Sequence, residues 1–275
     1  MMPGIRRKTL RAPIRIEGIG LHSGEVCRVI LFPAPVGAGV AFECDRTIIP
    51  AVADRVSDTR LGSSLSHGGA TVRTVEHLMA ALHALGCHDL IVQVEGPELP
   101  AMDGSALAYV EAIDHVGLVE QDAVMEALCP DRAVYVSQGE SEAWAFPWHV
   151  LAVTVIVDYP DTVAGRQATS MEIDPGSFVR EIAPARTFAL AEEFDAIKRA
   201  GLAKGGGPEN AFLIGRSEYS GPLRFPDEVV RHKTLDLIGD LYLAGAPVRA
   251  HVVATRPGHA LNLSLAAALR SAADA

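Results

Sequence analysis

Apolar and polar positions alternate along the chain with two different periods. Short stretches rich in Val and Ile, bounded by Gly, Pro and Asp, fall at 12–17, 25–32, 40–44 and 48–52, and this pattern predicts strands. Over 71–85 the period changes: Val75, Leu78, Met79, Leu82 and Leu85 recur at three- and four-residue spacing, which predicts a helix closed by Gly86. A strand at 90–94 and a helix at 105–116, ended by Gly117, complete the first half. The stretch 120–132 mixes acids with a proline, has no clear period and marks a boundary. Strands follow at 134–137, 143–146 and 150–159, then a helical stretch at 192–199 and a Gly-rich loop at 204–208. Pro226, Asp227 and Glu228 open a helix that runs to about 243, since proline fits a first helical turn and acids suit its N-terminus. A strand at 250–255, a Pro257-Gly258 turn and a helix from about 261 end the chain.

Both halves thus run strands, long helix, Gly, strand, turn, helix. Strands cluster instead of alternating with helices, so a continuous parallel sheet is disfavoured. The expected class is α+β: two similar two-layer α/β sandwich domains, 1–122 and 123–275. The length of 275 residues suits two domains at about 150 residues each.

Composition narrows the function. A hydrophobic fraction of 49% and a charged fraction of 21% are globular values and rule out wholesale disorder. The net charge of −10 argues against a general nucleic-acid or anionic-membrane binder. An anionic small substrate then needs a local basic cluster. Cys27, Cys44, Cys87 and Cys129 are far apart, and without a C-x-x-C pair a thiolate zinc knuckle is not expected. The N-terminus has charge but no apolar run, and the stretch 150–157 is too short to span a bilayer, so a cytoplasmic, soluble protein is expected.

The most informative segment is Arg231-His232-Lys233-Thr234-Leu235-Asp236-Leu237-Ile238-Gly239-Asp240. At about 100° per residue, His232, Asp236 and Asp240 lie on one helix face, each about 40° from the last. His and Asp one turn apart can share a Zn²⁺, at metal–ligand distances of about 2.0–2.2 Å. The same spacing also describes a solvated polar face with an ordinary i,i+4 pair. Glu76 and His77 are adjacent and point in different directions; a groove wall uses both if one ligates metal and the other holds a water, and otherwise they are a surface pair. His259 follows Pro257-Gly258 at a strand-to-helix turn, a place that faces either a cleft or solvent. His83 and His88 read as structural or surface residues. Gly205–Gly207 lack the G-x-x-x-x-G-K-[ST] pattern, so a phosphate cradle is the weaker reading of that loop and a lid or turn the stronger. Thr187 sits between Arg186 and Phe188, as a polar tip on a cleft or as a strand end with a snorkelling Arg.

Taken in order, these segments resemble the bacterial UDP-3-O-acyl-N-acetylglucosamine deacetylase family, zinc amidases of lipid A synthesis. The resemblance rests on Gly18-Ile19-Gly20-Leu21-His22-Ser23-Gly24, on Thr74 to Leu78, on Met102-Asp103-Gly104-Ser105-Ala106, on Ala185 to Phe188, on Val230 to Asp236 and on Gly258 to Asn262. It implies two α+β sandwich domains packed face to face with the active site between them. It implies His77, His232 and Asp236 as ligands of Zn²⁺, with Fe²⁺ an alternative. Glu76 is then the general base, His259 the proton donor, Asp240 its orienter, and Thr187 and Lys233 the stabilisers of anionic species. Lys233 and Arg256 become candidates for the substrate diphosphate, Tyr159 and Phe188 for further substrate contacts, and 189–212 for an insertion that passes the acyl chain. The implied substrate is a UDP-3-O-acyl-N-acetylglucosamine attacked by water, and a monomer is expected. Relatives often carry a Cys near 60–64, which this chain lacks, and Gly207 stands where a Ser is common. A non-catalytic UDP-sugar-lipid binding protein on the same scaffold is the competing expectation.

Overall fold

The computed structural model describes residues 4–273. The first half contains β1 (Ile5–Leu10), β2 (Ile14–Ile19), β3 (Val26–Pro33), β4 (Val40–Cys44), β5 (Thr47–Pro50), β6 (Val56–Asp58), β7 (Ser64–His67), β8 (Ala70–Val72), α1 (Glu76–Leu85), β9 (Leu90–Glu95), α2 (Leu107–Val116) and β10 (Leu118–Met125). The second half contains β11 (Val134–Gln138), β12 (Ser141–Pro147), β13 (Ala152–Tyr159), β14 (Gly165–Glu172), the one-turn α3 (Pro175–Ser177) with a π-helical turn at Phe178–Ile182, β15 (Thr187–Leu190), α4 (Phe194–Arg199), β16 (Ala211–Ile214), α5 (Glu228–Tyr242), β17 (Ala250–Thr255) and α6 (His259–Ala273).

The two halves repeat one topology. One sheet has the order β2-β3-β9-β4-β5 and the other β11-β12-β17-β13-β14. In each, the last strand in sequence enters the middle and makes the sole parallel pair, β9 with β4 and β17 with β13. A parallel pair needs a crossover, and the path from β4 to β9 includes α1, as that from β13 to β17 includes α5. Strand burial alternates, as in β17, so one sheet face meets the helices and the other is half-exposed. Helix α1 packs against α5, which also contacts α6. Leu78, Met79 and Leu82 join Leu235, Ile238 and Leu241 in one continuous buried core. The helix layers therefore face each other, as the resemblance implies, and the groove between them is where the site lies.

The structure shortens the first long helix. Residues 70–72 form β8 on β7, and Thr74 takes a left-handed backbone (φ 58), so α1 starts at Glu76 and not near 71. Tertiary pairing overrides the helical period there. The unpatterned stretch after 117 opens with β10, antiparallel to β1, a partner more than a hundred residues away that no local pattern reveals. Strand β14 and the short β15–β16 pair were likewise not expected, and α6 begins at His259, two residues before the expected start.

Candidate active site

Three elements converge where α1 meets α5. The first turn of α1 presents Glu76 and His77, the middle of α5 presents His232, Asp236 and Asp240, and the first residue of α6 is His259. Thr74 sets the approach to α1. It is β-branched and left-handed, a strained combination, and its hydroxyl donates to the buried carboxylate of Glu98 at 3.2 Å. The Val75 N–H then donates to the Ser63 carbonyl, which ties the start of α1 to the loop 61–63.

Among the described residues, His77, His232 and Asp236 form a buried group whose ligand atoms all lie within 4.8 Å of one another. Nε2 of His232 is 3.4 Å and Nε2 of His77 3.7 Å from Oδ1 of Asp236. The imidazoles meet edge to face, with centroids 5.1 Å apart. Nδ1–H of His232 donates to the Ala185 carbonyl at 3.1 Å, which fixes the tautomer and leaves Nε2 as the lone-pair nitrogen. Burial drives the pKa of His77 down to about 3 and lowers that of His232. Asp236 stays ionised: burial opposes its charge, but positive charge beside it, on His232 whenever that ring is protonated and on Lys233, pulls its pKa down. Two neutral imidazoles and one carboxylate converging in a buried pocket suit a borderline divalent cation such as Zn²⁺ or Fe²⁺, and three protein donors leave a position for water.

Glu76 and His77 diverge as their adjacency requires, yet both serve the groove. The Glu76 carboxylate is 2% exposed and accepts the Ser63 N–H at 2.9 Å. Burial pushes its pKa up to about 7 against the pull of His259. The His259 ring donates from Nδ1 to Oδ2 of Asp240 at 2.9 Å. Burial opposes charge on that imidazole, but the carboxylates of Asp240, Asp236 and Glu76, Asp240 foremost, together outweigh burial and raise its pKa to about 9. One carboxylate near neutrality and one imidazolium thus face the same groove, the pairing expected of a base and an acid.

Both groups line a cavity of about 500 Å³ together with His77, His232, Lys233, Asp236 and Thr187. The rest of its wall is largely apolar and includes Leu61, Phe188, Phe194, Ile197 and Leu213, so α4, β15 and β16 of the region 189–212 do border the site. Lys233 donates to Oδ2 of Asp236 at 2.9 Å, and its ammonium lies 5.4 Å from the Phe188 ring centre. Burial disfavours that charge, but Asp236 raises its pKa above the ordinary value. Tyr159, which is not among the residues lining the cavity, meets Phe188 edge to face at 6.0 Å. Arg256 is outside the wall: its guanidinium pairs with Glu140 and, at 3.0 Å, with Asp158. Arg186 points away from the cleft into a two-pronged pair with the buried Glu228, at 2.9 and 3.1 Å, so it anchors the strand that carries Thr187. The Gly-rich loop docks main chain to main chain, Gly205 N–H on the Leu21 carbonyl and Lys204 N–H on that of His22.

Sequence reasoning missed Ser63 and gave Asn262 no role. Ser63 donates its hydroxyl to Oδ1 of Asp240 at 2.6 Å, and Asn262 donates to Oδ2 at 2.9 Å. Nothing local marks either residue, since Ser63 is 177 positions from its partner.

Known proteins are similar to this chain over most of its length. Residues 7–271 match the UDP-3-O-acyl N-acetylglycosamine deacetylase family. The protein is 41% identical over 265 residues to the UDP-3-O-acyl-N-acetylglucosamine deacetylase of Myxococcus xanthus, covering 94% of this chain and 84% of that one. It is 42% identical over 268 residues to the protein of the same name from Thermosynechococcus vestitus, covering 96% and 93%. A third of that name, from Synechocystis, is 40% identical over 269 residues, 94% of this chain and 96% of its own. On this similarity the chain belongs to the UDP-3-O-acyl N-acetylglycosamine deacetylase family.

Proposed function

We propose that this protein hydrolyses the N-acetyl group of UDP-3-O-acyl-N-acetylglucosamine, giving acetate and the free 2-amino sugar nucleotide, in lipid A synthesis. The observation that carries this reading is the convergence of a three-donor metal group with Glu76 and His259 on the wall of one largely apolar cavity. A protein that merely bound the lipid would need neither a buried carboxylate near neutrality nor a carboxylate-held imidazolium. We also take the repeated halves to divide near residue 122.

His77, His232 and Asp236 would hold Zn²⁺, or Fe²⁺ where it is more available, and the ion when bound supplies Lewis acidity to the attacking water and to the acetamide carbonyl. Glu76 takes the proton of the water, its carboxylate held in place by the Ser63 N–H on Oε2. Attack turns the trigonal carbonyl carbon into a tetrahedral oxyanion. The Thr187 hydroxyl and the Lys233 ammonium border the cavity where that charge develops. His259 gives its Nε2 proton to the leaving nitrogen, without which an amide does not expel its amine. Asp240 holds Nδ1 throughout and keeps Nε2 turned to this task.

The acyl chain lies along Leu61, Phe194, Ile197 and Leu213, which exclude water from the groove. Phe188 and Tyr159 shape the sugar-nucleotide side. Lys233 is the nearer cation for the diphosphate, and Arg256 reaches it only by exchanging Asp158 and Glu140 for phosphate. The test is metal analysis of the purified protein combined with acetate release from the acylated UDP-N-acetylglucosamine. Stoichiometric metal with steady acetate release is expected; substrate binding by metal-replete protein without acetate release would favour the binding-protein reading.

A further inference from the structure

Ser63 occupies a position that neither the metal group nor the cavity explains. It is fully buried, and it is absent from the cavity wall. It follows Leu61 and Gly62, both at positive φ (58 and 154), so the chain turns sharply to place it. It then makes two separate connections. Its N–H donates to Oε2 of Glu76 at 2.9 Å, and its hydroxyl donates to Oδ1 of Asp240 at 2.6 Å. Its Oγ is also 3.4 Å from Nδ1 of His259.

Both oxygens of Asp240 have a donor only because of this serine. Oδ2 takes Nδ1–H of His259 and Nδ2–H of Asn262, both at 2.9 Å, and Oδ1 takes the Ser63 hydroxyl. The carboxylate is wholly buried, so an oxygen without a donor would bear the cost of a desolvated charge. With one oxygen pinned by Ser63, the plane of the carboxylate is fixed, and so is the direction from which His259 is held. Without the hydroxyl the carboxylate can turn about its terminal torsion, which is broad and nearly two-fold in intrinsic preference.

We infer that Ser63 is a positioning residue that couples the two proton-handling groups: its main chain aims Glu76, and its side chain sets Asp240 and, through it, His259. The inference rests on the acid–base reading of those two groups. It differs from that reading in its residue, and the two arms separate chemically. Ser63→Ala keeps the N–H that serves Glu76 and removes only the hydroxyl that serves Asp240.

The test is a double-mutant cycle on kcat, run on metal-replete enzyme with the acylated UDP-N-acetylglucosamine. Ser63→Ala should lower kcat roughly tenfold, the size of one lost hydrogen bond to a charged group, with KM and metal content unchanged. In an Asp240→Ala background the same substitution should cost less than twofold, because the group it acts through is gone. Ser63→Cys, which keeps a weaker donor, should fall between wild type and Ser63→Ala, and it carries the cycle if the alanine variant does not fold. A second readout needs no turnover. In ¹⁵N-histidine-labelled protein the His259 Nδ1–H resonance should move or exchange faster in Ser63→Ala, while that of His83 stays. Equal losses of kcat in both backgrounds, or an unmoved His259 resonance, overturn the inference. If wild type releases no acetate, the deacetylase reading fails while the resonance still decides for or against Ser63.

Discussion

Gly239 of α5 lies directly against the main-chain carbonyl of Glu76 on α1, with no space for a Cβ between them. A Cβ on Gly239 would collide with that oxygen and would also come within 3.1 Å of the Ala80 nitrogen. The contact sits beside both functional pairs, since Asp240 follows Gly239 and His77 follows Glu76. Close backbone approach at this one point sets how far apart the ligand-bearing helices are. Gly239→Ala should therefore lower stability by about 1–3 kcal/mol, as overpacking does, and weaken metal retention as well. Urea denaturation and metal titration of the variant check both; an unchanged midpoint with full metal would show that the crossing adjusts freely.

The metal group makes a sharper claim about which carboxylate does what. Asp236 converges with two imidazoles, whereas Asp240 is spent on Ser63, Asn262 and His259. Alanine at His77, His232 or Asp236 should reduce metal content and activity together. Asp240→Ala should keep the metal and slow the reaction. The reverse result for the two aspartates, read by metal analysis of each purified variant, would put the helix-face assignment wrong by one turn.

Helix periodicity made the α5 face readable, because His232, Asp236 and Asp240 owe their common direction to local geometry alone. The repeated order of elements also disclosed the paired α+β halves. What stayed hidden depends on distant contacts. The close approach at Gly239 and the reach of Ser63 to Asp240 are tertiary facts with no local signature. Thr74 was read as helical because its neighbours are, yet pairing of β8 and the bond to Glu98 hold it left-handed. Arg256 entered as a candidate for the substrate diphosphate through the resemblance alone, and only the fold brings Glu140 and Asp158 to it.

Acid and base should separate by substitution and by pH. Glu76→Gln is nearly isosteric and should leave metal and substrate binding in place while kcat falls roughly 10²-fold or more. His259→Gln should also act on kcat. For His259 the sign is definite. Its charged form is the donor, and the carboxylates around it, Asp240 foremost, hold its pKa up to about 9, so activity should fall as pH rises through that value. Removing the carboxylate in Asp240→Ala should shift this alkaline limb to lower pH. If the limb does not move, His259 is not the group that titrates there.

A last prediction concerns stability in acid and involves a histidine outside the site. His83 is buried between α1 and α5, stacked on Tyr242 with ring centres 4.6 Å apart. Its Nδ1–H donates to the Ile238 carbonyl at 2.9 Å, and its Nε2 accepts the Val248 N–H at 3.3 Å. Both nitrogens are thus committed to the neutral ring, and a second proton would set one N–H against another. Burial accordingly lowers the pKa to about 4 from an ordinary 6.5. Between those values the unfolded chain binds more protons than the folded one. The stabilisation is complete above about pH 6.5 and is lost as pH falls toward 4, by an amount on the order of 3 kcal/mol. His88 is also pushed down to about 4 by burial, so some acid sensitivity should persist without His83. His83→Gln should start less stable at pH 7 yet lose less between pH 7 and 4 than the wild type does. Urea midpoints for both proteins across that range decide the matter: parallel pH profiles would mean that His83 does not change its protonation on unfolding, and that the neutral-ring geometry contributes nothing to acid lability.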